Sequence, residues 1–469
     1  MGEVTFRDRD RIVSTPAHGV ALDCLAAGIE AALPANVVAD AVSVADGTLR
    51  VAAVDGEAAE YDLDAYGSVR IVGAGKAADG VATALADRLG DPLCDRFAGG
   101  TVITDEPASP ESTEPSGADR SLDVLPGDHP LPTERGVDHA RRVVDAAAAA
   151  GPDDLVVAVV TGGASALLAV PADPIGVDDL RELTDALLAC GASIDEINAV
   201  RKHCSAVKGG LLARTAAPAT VVTLAVSDVV GDDLAVIGSG PTVPDPSTYD
   251  DALEVVERYG LDLPAAVRDH LRAGAAGERP ETPESDDPAF DRARTVVVGN
   301  ARTALDAAAT AAGDRGYEGV VVADDVAGEA RDAGREHAEL AEACAAEDRP
   351  VSPPAVLLTG GETTVTLADG TGDSGSGGPN AELVASAGIE LDREGSVVAS
   401  VDTDGIDGAS DAAGGIVDAT TLHAPAARDA LDRHDAAPLL AEADALLRTG
   451  PTGTNVNDLR AVVVEDETG

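Results

Sequence analysis

A repeated unit of short apolar run, glycine turn and helix-like segment constrains this chain more than any other feature. VRIV (69–72) runs into GAGKAA, LVVAVV (155–160) into TGGASALL, and TVVTLAV (220–226) into SDVVGDD. TVVVG (295–299), GVVVA (319–323), AVLLT (355–359) and VVASVD (397–402) repeat the theme, several of them ahead of alanine-rich helical stretches. Apolar runs this short, alternating with helical patterns, predict an α/β fold with a largely parallel sheet covered on both faces. Ligands on such sheets sit beyond the strand carboxyl ends, where these turns fall.

A chain of 469 residues is expected to hold two domains. GAAGERPETPESDDPAF (274–290) mixes glycine, proline and acid and reads as an exposed connector, so the domains are placed at 1–285 and 286–469. A second acidic, proline-bearing stretch, DEPASPESTEPSGADRS (105–121), reads as a surface excursion. The amino end, MGEVTFRDRDRIVST, is charged and has no apolar centre, so no signal peptide is expected. The longest uncharged stretch, 155–172, is broken by Gly162 and Gly163 and ended by Pro171, which makes it strand, turn and helix rather than a membrane span. Cysteines at 24, 94, 190, 204 and 344 are odd in number with no C-x-x-C pairing. Free thiols in a reducing cytoplasm are expected, with neither a disulfide frame nor a zinc site.

The formal charge is −51, from 84 acidic and 33 basic residues. Such a surface repels nucleic-acid phosphates, and no basic run supplies a local footprint, so nucleic acid is set aside as a partner. Self-repulsion of that size destabilises a compact state at low ionic strength. At about 1 M salt the Debye length falls to roughly 3 Å and the repulsion is screened. A salt-filled, halophilic cytoplasm is therefore expected, and arginine outnumbering lysine thirty to three fits it. Retention of fold and activity in dilute buffer would count against that expectation.

Two of the three lysines lie within seven residues of each other in VRKHCSAVKGG (200–210), and the third is Lys76 of GAGKAA. GAGKAA meets a loose G-x-G-x-x-A, in which backbone amides approach a pyrophosphate; the other reading is a tight turn with an exposed lysine. A cation at a helix amino terminus opposes the helix dipole, and an anion would relieve it. TGGASALL offers Gly162, Gly163 and the Ser165 hydroxyl for a phosphate or carboxylate, unless Ser165 only caps its helix. His129 stands in a stiff loop, GDHPLPTER, beside Asp128. Ile197, Val200, Cys204, Val207 and Leu211 follow a helical stripe, which predicts one helix through this region. Arg201, Ser205 and Lys208 then share an adjoining face, with Lys202 nearby. Asp228, at a strand end, either orients a hydroxyl, helps hold a metal or caps a helix.

TGGETTVTL (359–367), GSGGPNAEL (375–383), DTDGIDGASDAAGG (402–415) and TGPTGTNVNDL (449–459) add four glycine-rich turns. The aspartates at 402, 404, 407 and 411 approximate a calcium loop, but Ile406 occupies a ligand position and no glutamate closes it. Carboxylates serving Mg²⁺ and phosphates, or a purely structural turn, are the readings kept.

VGAGKAA, GDHPLP, TGGASALL, INAVRKHCSAVKGG, SDVVGDDLAVIGSGPTVPDP, GGETTV, GGPNAEL, DTDGIDGASDAAGG and GPTGTNVNDL, in that order, resemble the glycerate 2-kinase or MOFRL family, some of whose members carry a hydroxypyruvate reductase name. The resemblance runs from about residue 12 to 460. It implies a larger Rossmann-like amino-terminal domain, a smaller carboxy-terminal α/β domain and an active site in the cleft between them. It also implies ATP- and Mg²⁺-dependent phosphorylation of D-glycerate at its 2-hydroxyl, with a homodimer as the expected assembly and no membrane as partner. The resemblance makes Lys76 a catalytic group; the need of phosphoryl transfer for cations and for an oriented hydroxyl adds Lys208 and Asp228, with Arg201, Lys202, Ser165 and His129 as the expected substrate contacts. Gly162, Gly163, Gly238, Ser239, Gly240, Glu362, Asn380, Asp404, Asp407, Thr452 and Asn455 are the expected nucleotide contacts, with Asp228 and Asp404 as metal ligands. The family's G-G-R-N-Q-E motif reads Gly377-Gly378-Pro379-Asn380-Ala381-Glu382 here, so proline replaces its arginine and alanine its glutamine. Two rivals stay open. One is an NAD(P)H-dependent hydroxypyruvate reductase, for which Asp105 and Glu106 lie roughly ten residues too far on to serve as the ribose-binding acid. The other is a phospho-ligand binder without turnover.

Overall fold

The computed structural model of the protein describes residues 3–93, 96–105, 121–367 and 375–466. Most of the acidic excursion at 105–121, with Glu106, and Cys94 lie outside the described residues. The chain divides into two compact units, residues 37–298 and residues 1–36 with 299–469.

In unit 37–298 a small antiparallel meander, β1 (Val42–Ala45), β2 (Thr48–Ala52) and β3 (Ala58–Asp62), turns at Asp46-Gly47, both at positive φ. The main sheet contains β4 (Ser68–Ala74), β5 (Phe97–Thr104), β6 (Leu122–Pro126), β7 (Asp154–Val160), β8 (Thr220–Val226) and β9 (Ala293–Gly299) in the order β6-β5-β4-β7-β8-β9. The pairs from β6 to β8 are all parallel. β7 and β8 are apolar almost throughout because both faces are covered. One face packs on helix Glu134–Ala148 through Ala140, Val143 and Ala147, and on Leu212 and Ala216. Helix Ala78–Leu93 also packs on this sheet. A separate cluster of Leu183, Leu187, Val200, Ala252 and Val267 joins the helices between β7 and β9.

The second unit carries β10 (Glu318–Glu329), β11 (Ala355–Thr364), β12 (Ser396–Asp402), β13 (Gly414–Asp418), β14 (Leu446–Leu447) and β15 (Asp458–Val464), ordered β10-β11-β15-β12-β13-β14. This sheet is mixed, which corrects the expectation of a largely parallel one. β15 enters antiparallel between β11 and β12, and only β10 pairs in parallel fashion with β11. Residues 1–36 belong with this unit and not with the amino-terminal domain, because helix Pro16–Ala32 buries Val20, Leu25 and Ile29 and packs on helix Ala301–Asp314 and β15. The stretch 274–290 is likewise no boundary. Thr282 donates to Asp245 at 2.9 Å and Arg214 pairs with Asp287 at 2.8 Å, so it is stitched into unit 37–298. Among the described residues no single helix is long and apolar enough to cross a membrane.

Helix Pro379–Glu390 begins on Asp407, whose carboxylate accepts from the amides of Gly378 (3.1 Å), Asn380 (2.9 Å) and Ala381 (2.8 Å). Burial nevertheless raises the Asp407 carboxyl to about 6. A folded-state pKa above the unfolded value of about 3.9 means that the folded chain holds the extra proton, so this carboxyl's stabilising share falls as pH rises from roughly 4 through 6. We expect Asp407→Asn to remove about 2 kcal/mol of that pH dependence, read from urea unfolding midpoints at pH 4.5 and 7.5.

Candidate active site

The two amino-terminal glycine turns interlock. Gly75, at φ 141°, lies where a β-carbon would overlap Thr161. The amides of Gly75, Lys76, Ala77 and Ala78 donate to Ile103 O (3.0 Å), Gly162 O (2.8 Å), Thr161 Oγ1 (3.2 Å) and Gly75 O (3.1 Å). The GAGKAA turn therefore keeps no row of amides for a pyrophosphate. By contrast, the amides of Gly162 and Gly163 have no hydrogen-bond partner among the described residues.

Those two glycines admit three chemically active side chains. A β-carbon at Gly162 would overlap the Asp228 carboxylate, and one at Gly163 would stand 3.1 Å from Lys76 Cγ and 3.4 Å from the His129 ring. Burial raises the Asp228 carboxyl, an effect that Lys76 partly offsets. His129 is pushed down by burial and by Lys76, which favours the neutral imidazole. Ser165 does not spend its side chain on a helix cap; its Oγ lies 2.7 Å from Ser239 Oγ.

The helix expected through 197–211 is broken. It spans Ile194–His203, and a second helix starts at Leu211, because Ser205 Oγ accepts from the amides of Val207 (3.1 Å) and Lys208 (3.2 Å) while Gly209 and Gly210 take positive φ. The break still brings Arg201, Ser205 and Lys208 together. They line a cavity of about 200 Å³ with His129, Gly163 and Ser165. Lys208 is buried, and its Nζ donates to Ser165 O (2.5 Å) and Leu168 O (3.4 Å). Burial, reinforced by Arg201, lowers its pKa to about 7. Arg201 is lowered by burial alone. Neither cation pairs with a carboxylate among the described residues, in a chain with 84 acids. Uncompensated buried charge is costly, and an anionic ligand is the group that would offset it.

Lys202, expected beside the substrate, turns the other way. Its Nζ pairs with buried Asp245 at 3.1 Å, and Asp245 also accepts from Ser247 and Thr282. One step along a helix rotates a side chain by about 100°, which is what separates Lys202 from Arg201. Ser239 and Gly240, expected with Gly238 at a nucleotide, support the Lys208 turn. The carbonyls of Ser239 and Gly240 accept from Gly209 N (3.0 Å) and Gly210 N (2.7 Å), and Ser239 Oγ donates to Asn198.

In the other unit Asn380 is buried and committed, its side chain donating to Asp458 at 2.7 Å and accepting from Ser400. Asp407 is the helix cap described above, so neither residue presents a free group to a nucleotide. Asp404 accepts from Ile406 N (2.8 Å) and Asn455 Nδ2 (3.4 Å), Thr452 donates to Thr403 O (2.6 Å), and Glu362 is exposed on β11. Among the described residues no group of three or more His, Cys, Asp or Glu side chains is placed to hold a metal ion. The cavity's remaining wall, Leu180, Thr184 and Leu188 on helix Val177–Ala189, was not anticipated. Its signal is Leu188, a leucine lying off the Leu180–Leu183–Leu187 core stripe.

Residues 20–272 match a family described as a domain of unknown function, DUF4147, and residues 355–458 match the MOFRL family. The chain is 35% identical to the glycerate 2-kinase of Pyrococcus horikoshii over 96% of its own length and 98% of that protein's. It is 38% identical to the D-glycerate 2-kinase of Thermotoga maritima, over 83% and 89% respectively. A protein of Agrobacterium vitis bearing a hydroxypyruvate reductase name is 42% identical over 84% of this chain and 98% of its own length. The crystal structure of the Thermotoga maritima glycerate kinase superposes with a TM-score of 0.80, covering 95% of this chain and 99% of that one at 35% identity.

Proposed function

The chain belongs to the glycerate kinase family marked by the DUF4147 and MOFRL regions, and we propose that it transfers the γ-phosphoryl group of ATP to the 2-hydroxyl of D-glycerate, giving 2-phosphoglycerate and ADP. One observation carries this reading: buried Lys208 and half-buried Arg201 line one small cavity, and neither pairs with a carboxylate among the described residues. Arg201 takes the glycerate carboxylate in a bidentate grip, which suits a planar guanidinium. Lys208 adds a second charge, and Ser165 and His129 complete the substrate contacts.

Phosphoryl transfer asks a protein mainly for position and for cations on oxygens that gather charge. Lys76, at the turn shared with Gly162 and Gly163, supplies such a cation, and the amides of these two glycines, without a partner among the described residues, are free to donate to the same oxygens. Asp228 receives the 2-hydroxyl as hydrogen-bond donor and takes its proton as the new P–O bond forms, its raised pKa bringing it nearer the working pH. Asp228 also fits Mg²⁺ as a single carboxylate ligand, since this ion usually keeps several waters and takes one or two carboxylates beside the phosphates. When bound, the ion would neutralise phosphate charge. Asp404, Thr452, Asn455 and Glu362 are the nucleotide candidates in the second unit.

The interlocked GAGKAA turn, with its amides already bonded, weighs against the nicotinamide-dependent rival. The test is ADP release with D-glycerate in high salt, with phosphorus NMR of the product and a parallel incubation with hydroxypyruvate and NADH. A 2-phosphate signal is expected. A 3-phosphate signal would overturn the regiochemistry, and NADH consumption without ADP release would overturn the kinase reading.

A further inference from the structure

The cavity is lined by two unlike sets of side chains, and the polar set is the one that a three-carbon polyhydroxy acid uses. Arg201, Lys208, Ser165 and Ser205 are the polar set. Ala169 and Val170 lie beside them, Val170 O accepting from Ser205 Oγ at 3.3 Å, and helix Val177–Ala189 adds Leu180 and Leu188. Thr184 lies on the same wall, but its hydroxyl already donates to Leu180 O at 2.8 Å. Leu188 is 56% exposed at the rim, on the side of its helix away from the buried Leu183 and Leu187. The wall is held in place, since Arg181 Nε donates to Pro132 O at 2.6 Å and ties the helix to the loop that carries His129. At about 200 Å³ the space is small for a whole nucleotide, because pockets for drug-sized ligands begin near 300 Å³. A leucine half in water at the mouth of a cation-bearing cavity gains most from a ligand that is anionic at one end and apolar at the other.

We propose that this pocket also accepts 2-hydroxycarboxylates with an apolar substituent at C3, the carboxylate on Arg201 and the alkyl group against Leu180 and Leu188. The inference rests on the phosphotransfer reading above. In the reaction the substrate 2-oxygen bonds to the γ-phosphorus of ATP, the bond from that phosphorus to the ADP oxygen breaks, and the hydroxyl proton passes to Asp228.

The experiment uses the full-length enzyme and Leu188→Ala, which removes apolar surface without adding charge. ADP release and phosphorus NMR are followed with D-glycerate, 2-hydroxybutyrate and 2-hydroxyisovalerate, and 2-hydroxyisovalerate is titrated calorimetrically into both proteins. The expected result is turnover of the alkyl acids, or competition with glycerate by them, weakened about 10-fold in Leu188→Ala, as the loss of one or two methylene contacts would give. The loss for the alkyl acids should exceed the loss for glycerate, so that discrimination shifts toward glycerate. Alkyl acids that neither turn over, compete nor bind would overturn the proposal. So would an equal loss for glycerate and the alkyl acids, or a variant whose chief change is a raised KM for ATP, which would give the wall to the nucleotide base. If glycerate itself yields no ADP, the kinase reading fails, while calorimetric binding of 2-hydroxyisovalerate that is sensitive to Leu188→Ala would still support the wall.

Discussion

Replacing Arg201 by methionine should lower kcat/KM for D-glycerate by about 10²–10³, mostly through KM, while leaving the ligand-free protein as stable as before or more so. The two halves of this expectation share one cause. A bidentate guanidinium–carboxylate contact contains two charge-assisted hydrogen bonds of about 1.5–3 kcal/mol each, and tenfold in affinity corresponds to about 1.4 kcal/mol. In the free protein the same guanidinium is desolvated without a carboxylate partner among the described residues, so removing it strands no counter-charge. Methionine keeps much of the apolar stem. Arg201 also helps to depress Lys208, so the variant should raise the Lys208 pKa. Steady-state kinetics and thermal melts on one preparation separate this from ordinary destabilisation, where activity and melting temperature fall together.

Lys76→Ala should cost kcat about 10³–10⁵, the range seen when a cation on the transferring phosphoryl group is withheld, with little change in the KM for glycerate. Charge on those oxygens grows on the way to the transition state, so the loss falls on kcat. Lys76 opposes the burial that raises Asp228, so its removal should move Asp228 further up. The acid limb of the residual activity should then shift to higher pH. Wild-type turnover in Lys76→Ala would remove this residue from the mechanism.

The strand runs were legible because parallel strands covered on both faces must be apolar along their length, as β7 and β8 are. All seven predicted runs are strands. The mixed second sheet was not legible. β15 sits between strands that precede it by about 60 and 100 residues, and pairing at that range leaves no local trace. The concentration of lysines in glycine motifs drew attention to the stretch around 200–210, but spacing alone does not say which of its cations share a cavity. Arg201 and Lys208 reach the cavity, whereas Lys202 is drawn off by Asp245, a partner 43 residues away that helical periodicity does not reveal. The break after His203 was missed because the apolar stripe continues through it, and the Ser205 hydroxyl that ends the helix reads equally well as one more polar position. The short loop 238–240 has the composition of a phosphate turn, but its carbonyls hold the Lys208 turn.

The most direct measurement is calorimetric titration of D-glycerate into the wild-type protein at pH 8, repeated in two buffers of different ionisation enthalpy. Lys208 ionises near 7 in the free protein, so it is largely neutral there, and a carboxylate arriving beside it should draw a proton from the buffer. Binding with net proton uptake, abolished in Lys208→Met, is the predicted result. Glycerate that fails to bind, or binds with no proton uptake, would contradict the claim that the cavity's cations are kept for an organic anion.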